Sequence, residues 1–295
     1  MSANLVGQIV AAYSRQYLVE LAGGELLPCL SRGKTSEFVC GDQVEILRTS
    51  SSQSGSQQGV IERALPRHTL LFRSDAYRRK YIAANITQMV IVVATEPPFS
   101  DELLTRCLIA AHEQNLATLI ILNKCDLHAA TQQARTQLAP YQKAGYRILE
   151  LSAKDNIDPL RPFLENHSSV LMGQSGMGKS TLINALLPNA HAATREISSA
   201  LNSGKHTTTR AHLYHINTHS HLIDCPGVQA FGLHHLNADT IAAGFIEFAP
   251  YLGKCRFSNC THQHEPDCVL KSAQQQGKID GRRLELFQTI SRGAF

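Results

Sequence analysis

Short apolar stretches alternate with turn-rich pieces at the start of the chain. Five of these stretches are rich in β-branched and other apolar residues and predict strands, at residues 8–10, 17–21, 25–29, 43–47 and 59–63. Residues 49–59 are almost entirely Ser, Gln and Gly, which predicts a mobile loop. Short strands joined by such turns indicate a small β-barrel over residues 1–67.

Apolar runs alternate with helical patterns from residue 68 onward. Strands are predicted for residues 88–94, 118–122, 146–151, 169–172 and 222–224. Ser100 precedes two acidic residues and then an apolar face with helical spacing, formed by Leu103, Leu104, Cys107, Leu108 and Ala111. Ser100 is therefore expected to cap a helix. Strands alternating with helices indicate an α/β fold with a parallel sheet.

A glycine-rich loop follows the strand at residues 169–172 and leads into a helix. The loop fits the phosphate-binding pattern G-x-x-x-x-G-K-[ST] with Gly173, Gln174, Ser175, Gly176, Met177, Gly178, Lys179, Ser180 and Thr181. Its glycines let backbone N–H groups surround a phosphate at the positive end of the helix. Lys179 would bridge the β and γ phosphates, and Ser180 would ligate Mg²⁺. The flanking strand and helix disfavour an ordinary glycine-rich turn.

A guanine-reading motif lies upstream of this loop, at the end of the strand at residues 118–122. It consists of Asn123, Lys124, Cys125 and Asp126. Asp126 would accept hydrogen bonds from the N1–H and the 2-amino group of guanine, which adenine lacks at those positions. Asn123 would brace the loop, and the Lys124 stem would lie over the base. The carboxyl end of a strand is where open α/β sheets bind ligands.

Three further segments fit the same nucleotide. Ser152, Ala153 and Lys154 follow the strand at residues 146–151, so that the Ala153 N–H would meet guanine O6. After another strand, Asp224 would reach Mg²⁺ through water and the Gly227 N–H would face the γ-phosphate. The polar segment at residues 204–209 ends in a run of threonines and would form a switch. Either Thr208 or Thr209 would ligate Mg²⁺ when the γ-phosphate is present.

The water-positioning group is not evident in the sequence. Val228 follows Gly227, where Ras-like enzymes have a glutamine. We hypothesise that His206, beside the switch threonines, contacts the attacking water, because imidazole donates or accepts protons near neutral pH. The chain has 14 histidines, so most of them have no part in catalysis.

Four potential zinc ligands cluster near the carboxyl end. Cys255, Cys260, His262 and Cys268 form a Cys₃His set, the donor set of a closed tetrahedral zinc site. His264 is an alternative to His262. The other cysteines, at positions 29, 40, 107, 125 and 225, are scattered. Clustered thiolates without a signal peptide favour metal binding in a reducing compartment over disulfides. A structural ion would also stabilise a segment too short for a large core.

The order of these motifs, with the base motif before the phosphate loop, resembles that of the circularly permuted GTPases. The whole chain resembles the small-ribosomal-subunit biogenesis GTPase family, called RsgA or YjeQ. The resemblance implies an OB-fold RNA-binding domain at residues 1–67, a permuted GTPase domain at 68–234 and a mainly helical zinc domain at 235–295. It favours His262 as the fourth zinc ligand. It also implies binding to the small ribosomal subunit and its 16S rRNA, which would stimulate hydrolysis.

Charge adds one candidate surface. The net charge is only +4, but six cations cluster between residues 63 and 80: Arg63, Arg67, Arg73, Arg78, Arg79 and Lys80. Such a cluster suits RNA phosphates, although a solvated linker is the alternative. Arg282, Arg283 and Arg292 are expected to extend the same surface.

The sequence therefore predicts a GTPase that converts GTP and water to GDP and phosphate and assists late maturation of the small subunit. One alternative is a non-enzymatic RNA-binding adaptor, favoured by Val228. A second, an ATP-using kinase, is opposed by Asp126. We expect a cytoplasmic monomer that does not enter membranes, because no apolar run approaches the roughly 18 residues that a span needs.

Overall fold

The computed structural model describes residues 5–13, 16–32, 37–50, 57–188, 211–225 and 230–293. Its first five strands form a closed barrel, in which the third and fifth strands are parallel and the other neighbours are antiparallel. They are β1 (Leu5–Tyr13), β2 (Gln16–Leu21), β3 (Leu26–Ser31), β4 (Gln43–Ser50) and β5 (Gln57–Ala64). The five strands predicted for this region are confirmed.

The predicted loop at residues 49–59 is shorter than its composition suggested. Ser50 pairs with Gln57 and Thr49 with Gln58, so β4 and β5 extend into both ends of the polar run. The backbone pairing of an antiparallel ladder does not require apolar side chains. Residues 51–56 lie outside the described part of the chain.

The second architectural unit is a sheet of six strands: β8 (Gln88–Ala94), β9 (Ala117–Asn123), β10 (Ile148–Glu150), β11 (Ser168–Met172), β12 (Ala211–Asn217) and β13 (Ser220–Asp224). Its parallel part has the order β10-β9-β8-β11-β13, and β12 is added antiparallel beside β13. The helices are α1 (Asp101–Glu113), α2 (His128–Ala144), α3 (Arg161–Leu164) and α4 (Lys179–Leu186). Every residue of β8 is buried, as expected for a central parallel strand.

Two local predictions in this part of the chain, a helix cap at Ser100 and a strand at residues 146–151, have different outcomes. The Ser100 hydroxyl accepts the Leu103 N–H at 3.2 Å, which confirms the predicted helix cap. The strand predicted at residues 146–151 is shorter, because Tyr146 instead packs toward the carboxyl-terminal helices. The Tyr146 N–H donates to the Tyr141 carbonyl, and its hydroxyl donates to the Gly244 carbonyl at 3.2 Å.

The barrel and the parallel sheet are joined through their edges. Strand β1 pairs antiparallel with β12, with Ala12 opposite Ala211 and Ala11 opposite His212. Cys40 reinforces the joint, because its thiol donates to the Ala211 carbonyl at 3.1 Å. The first described residues after position 210 are therefore bonded to the barrel.

Residues 70–84 form a β-hairpin, with β6 (Leu70–Ser74) antiparallel to β7 (Arg79–Ala84). The Ser74 N–H donates to the Gly232 carbonyl at 3.0 Å, and the Ser74 hydroxyl lies 2.7 Å from His235 Nδ1. A Cβ at Gly232 would lie 2.0 Å from the Ser74 carbonyl oxygen, so this contact requires glycine. The hairpin is thus fixed to the segment that leads into the carboxyl-terminal helices.

The carboxyl-terminal helices are α5 (Ala238–Ala243), α6 (Val269–Gln275) and α7 (Gly281–Arg292). Phe245 and Phe248 stack with ring centroids 4.8 Å apart, and both meet Phe287 of α7 edge-on. The expectation that Arg283 lies on a basic surface is wrong, because this side chain is 1% exposed. Its guanidinium instead pairs with Glu247 and fills a space among aromatic rings.

Within the described residues, no helix is long and apolar enough to cross a membrane.

Candidate nucleotide site and zinc centre

The phosphate loop lies between β11 and α4, and two glycines let it approach its neighbours. Gly173 has φ +150°, and a Cβ there would lie 2.4 Å from the Val92 carbonyl oxygen. Gly178 has φ +90°, and a Cβ there would lie 2.3 Å from Asn123 Nδ2. Any larger residue would be strained at both positions and would push the loop away from β8 and from the base motif.

Asn123 connects the three nucleotide motifs. Its side chain is buried, its Nδ2 donates to the Met177 carbonyl at 2.9 Å, and its Oδ1 accepts the Ala153 N–H at 3.0 Å. The phosphate loop, the base motif and the turn at residues 152–154 are therefore held together by one side-chain amide. Because the Ala153 N–H donates to Asn123, its predicted contact with guanine O6 requires that this hydrogen bond be shared or exchanged.

The Asp126 carboxylate has one oxygen that can accept a hydrogen bond but receives none from the described part of the chain. Its Oδ1 is buried and has no hydrogen-bond partner within the described residues, as is also true of the Ser152 hydroxyl. An unpaired buried carboxylate oxygen is costly, so the geometry fits a ligand that supplies N–H donors. The Cys125 N–H donates to the Leu151 carbonyl at 3.2 Å, which fixes the backbone beside Asp126.

The neighbours of Lys124 were not identified from the sequence. Lys124 has φ +64°, and its ammonium donates to the Glu96 carbonyl at 2.8 Å. The Thr95 hydroxyl donates to the Lys124 carbonyl at 3.0 Å. Thr95 and Glu96 follow β8. Within the sequence, only the expectation that β8 and β9 are neighbours ending at the same edge could have indicated their contacts with Lys124.

The charged groups of the phosphate region are Lys179 and Asp224. The Lys179 ammonium is buried and donates to the carbonyls of Gly173 at 2.7 Å and Gln174 at 2.9 Å. Burial lowers the pKa of Lys179. Burial also raises the pKa of Asp224 to about 6, and the attraction of Lys179 opposes that rise only in part. A half-buried carboxylate with a raised pKa fits a site that receives a further cation.

Ser180 and Thr181 lie exposed in the first turn of α4, beside these charges. His206, Thr208 and Thr209 lie outside the described residues, as do Gly227 and Val228. The predicted roles of these five residues therefore stay predictions.

Four potential metal-ligating atoms, from three cysteines and one histidine, cluster around a common centre near the carboxyl end. They lie within 4.8 Å of one another and belong to Cys255, Cys260, His262 and Cys268. The sulfurs of these cysteines lie 3.5, 3.5 and 3.3 Å from His262 Nδ1, respectively. A tetrahedral zinc ion, about 2.3 Å from sulfur and about 2.0 Å from nitrogen, holds such atoms about 3.5 Å apart. The cluster therefore fits zinc, with His262 and not His264 as its nitrogen ligand.

Comparison with known proteins identifies the family. The RsgA GTPase family model matches residues 64–234, which is more than half of the chain. The chain belongs to the RsgA GTPase family. An RsgA relative from Nitrosospira multiformis, described as a small ribosomal subunit biogenesis GTPase, is 51% identical and aligns over 98% of this chain and 91% of its own. Another, from Bordetella pertussis, carries the same description and is 49% identical over 98% of this chain and 97% of its own.

Solved structures of this family support the fold. The crystal structure of YjeQ from Thermotoga maritima is 28% identical, with a TM-score of 0.72 and coverage of 99% of both chains. YloQ, described as a circularly permuted GTPase, matches with a TM-score of 0.68 over 99% of this chain and 95% of its own. At 22% identity, YloQ supports the architecture alone. The RsgA fold of this chain is thus a permuted GTPase domain with an OB-like barrel before it.

Proposed function

We propose that this RsgA-family GTPase binds the small ribosomal subunit and its 16S rRNA with GTP bound, assists late maturation, and leaves after hydrolysis. The observation that carries the proposal is the Asn123 amide, which holds the phosphate loop beside Asp126 and its unpaired oxygen. The descriptions of the relatives supply the ribosomal partner. The domains are residues 1–67, 68–234 and 235–295, and the protein works as a cytoplasmic monomer.

Guanine would be held by the base motif and the turn at residues 152–154. Asp126 Oδ1 accepts a base N–H, the Lys124 stem covers the ring, and a backbone N–H of the turn donates to O6. The phosphates would lie against the N–H groups of residues 173–181, with Lys179 leaving its two loop carbonyls to bridge the β and γ phosphates. That exchange replaces hydrogen bonds to neutral carbonyls with stronger bonds to anions.

Magnesium would be held by Ser180, by Thr208 or Thr209, and through water by Asp224. When bound, Mg²⁺ neutralises negative charge on the β and γ phosphates. In hydrolysis, water attacks the γ-phosphate in line with the leaving oxygen, and Lys179 stabilises the developing charge. Because Val228 cannot orient that water, we assign the task to His206.

Phosphate release from GTP, measured with and without purified small ribosomal subunits and with ATP as control, tests the proposal. We expect subunits to raise GTP turnover at least tenfold and ATP turnover to stay at background. Tight GTP binding without stimulation would instead support the adaptor function. Competition by ATP for the GTP site would support the kinase class.

The same assay tests the role of His206. His206→Ala should lower stimulated turnover by about 100-fold, the lower range for a lost general acid–base contact, and leave GTP affinity unchanged. His219→Ala is the matched control, because this exposed histidine follows β12 in the turn before β13. Equal turnover in the two variants would remove His206 from the mechanism.

Zinc occupancy gives a separate prediction. We expect the purified protein to contain one zinc ion per chain, and His262→Ala to lose it, because the Cys₃His shell would then lack its nitrogen ligand. His264→Ala is the matched control and should retain the ion. Mass spectrometry measures the zinc content of each variant. Limited proteolysis shows whether residues 235–293 become easier to cleave when the ion is lost. Full zinc in His262→Ala would contradict this ligand set.

A further inference from the structure

The tip of the β6–β7 hairpin presents an exposed aromatic ring on a backbone turn that hydrogen bonds hold in place. Tyr77 is 94% exposed. The Asp75 carboxylate accepts the N–H groups of Tyr77 at 2.9 Å and Arg78 at 2.8 Å, and the Asp75 N–H donates to the Arg78 carbonyl at 3.0 Å. These bonds define a tight turn, so the ring is displayed on a preorganised backbone and little order would have to be gained on binding.

A basic groove runs beside this tip. The groove has a volume of about 720 Å³, and its cationic lining residues are Arg73, Arg78, Arg79, Lys80 and Arg106. Two acids, Asp75 and Glu102, also line it. The groove therefore carries an excess of positive charge, and residues 75–80 are all exposed.

The cations of the groove differ in what they already bind. Arg106 pairs with Glu102, and Arg73 donates to the Ala230 carbonyl at 2.6 Å. Arg78, Arg79 and Lys80 belong to none of the ion pairs within the described residues. Arg79 lies over the Phe72 ring, 5.4 Å from its centroid, which orients the guanidinium. Three adjacent cations are thus available to a polyanion.

We propose that this hairpin and groove form a binding site for unpaired RNA, in which a base stacks on Tyr77 and the neighbouring phosphates bind Arg78, Arg79 and Lys80. The inference rests on the proposed function for its partner, an unpaired segment of small-subunit rRNA. An aromatic ring beside cations matches RNA, because single strands offer both a base face and phosphates. A duplex keeps its base faces stacked and would gain nothing from Tyr77.

The sequence suggested a basic surface here but not its construction. Arg63 and Arg67 do not join the groove, because Arg63 pairs with Glu45 and Arg67 pairs with the buried Asp42. The structure thus divides the six clustered cations into two that are paired at the barrel and four that line the groove.

Binding of a fluorescein-labelled oligouridylate to the full zinc-loaded protein tests the site. We expect Tyr77→Ala to weaken binding about tenfold, within the range known for a lost base–aromatic stack, and Tyr77→Phe to bind like the parent. Replacing Arg78, Arg79 and Lys80 with alanine should also flatten the salt dependence of binding. Arg135→Ala is the control, because this exposed cation lies outside the groove and pairs with Glu150.

Three results would overturn the site, and the first two concern RNA. One is unchanged oligouridylate binding in Tyr77→Ala, and the other is an equal loss for a matched RNA duplex, which would mean that no base stacks there. A Tyr77→Ala effect confined to anionic lipid vesicles would likewise replace RNA with a membrane surface. GTP affinity and subunit-stimulated turnover of the parent protein are measured alongside, so a failure of the proposed function is seen separately from a failure of this site.

Discussion

Arg283→Ala is expected to destabilise the attachment of the carboxyl-terminal helices by about 3–5 kcal/mol, the usual cost of removing one partner of a buried ion pair. Arg283 Nε donates to Glu247 at 2.6 Å, and its Nη1 donates to the Thr105 hydroxyl of α1 at 3.1 Å. The guanidinium also lies 4.5 Å from the Phe245 ring centroid and 4.6 Å from that of Tyr141. Alanine would leave the buried Glu247 charge without a partner.

Thermal unfolding followed by circular dichroism measures this effect. A loss of about 3–5 kcal/mol in unfolding free energy should lower the midpoint of the first thermal transition by roughly 6–20 °C. The conversion is about 2–4 °C per kcal/mol for a cooperative unit of about 150–250 residues. Arg135→Ala is the control, since an exposed pair contributes at most about 1 kcal/mol. Replacing both Arg283 and Glu247 with methionine should restore much of the loss, because no buried charge then stays unpaired. A transition in Arg283→Ala equal to that of Arg135→Ala would contradict this role.

The burial of Arg283 shows why part of the fold could not be predicted from the sequence. Arg283 lies beside Arg282 near the chain end, and nothing local distinguishes a buried arginine from an exposed one. Its environment consists of Glu247, Thr105 and aromatic rings from distant segments, which only the tertiary fold brings together. The barrel strands, β8 and the Ser100 cap were predictable because each depends on a pattern within a few residues.

The joints between units were missed for a related reason. The pairing of β1 with β12 depends on two strand edges far apart in the chain, and an edge leaves no pattern of its own. The sequence predicts no strands at residues 70–84, where its cations suggest a surface for RNA phosphates or, alternatively, a solvated linker. The hydrogen bonds of Ser74 to Gly232 and His235 show that the β6–β7 hairpin is an integral contact between distant segments.

The nucleotide motifs were predictable as single segments, but their connection was not. Each motif has a local signature because a phosphate or a base imposes residue types at fixed spacing. The Asn123 side chain can bond to both the phosphate loop and the turn at residues 152–154 because β9, β10 and β11 end at the same edge of the sheet. The structure adds that Gly178 has no room for a side chain beside this amide, which couples the base motif to the phosphate loop.

Asp126→Asn is expected to weaken GTP binding by about 1,000-fold or more and to raise affinity for xanthosine triphosphate. Sites that hydrogen-bond a specific ligand group discriminate by roughly 10⁴–10⁵ against ligands that cannot pair. An asparagine amide would place an N–H against the 2-amino group of guanine, where donor meets donor. Xanthine has a carbonyl oxygen at that position and would accept this N–H. The buried Oδ1 of Asp126, unpaired within the described chain, is the atom concerned.

Isothermal titration calorimetry of each variant, with GTP and with xanthosine triphosphate in separate titrations, measures this exchange of specificity. Asp155→Asn is the matched control, because this exposed aspartate lies in the neighbouring turn and undergoes the same chemical change. It should leave both affinities unchanged. If Asp126→Asn weakened the two nucleotides equally, the substitution would have disturbed the loop, and Asp126 would not be the group that reads the base. A reversed preference at retained overall affinity would assign guanine selectivity to one carboxylate, held in position by the backbone bond between Cys125 and Leu151.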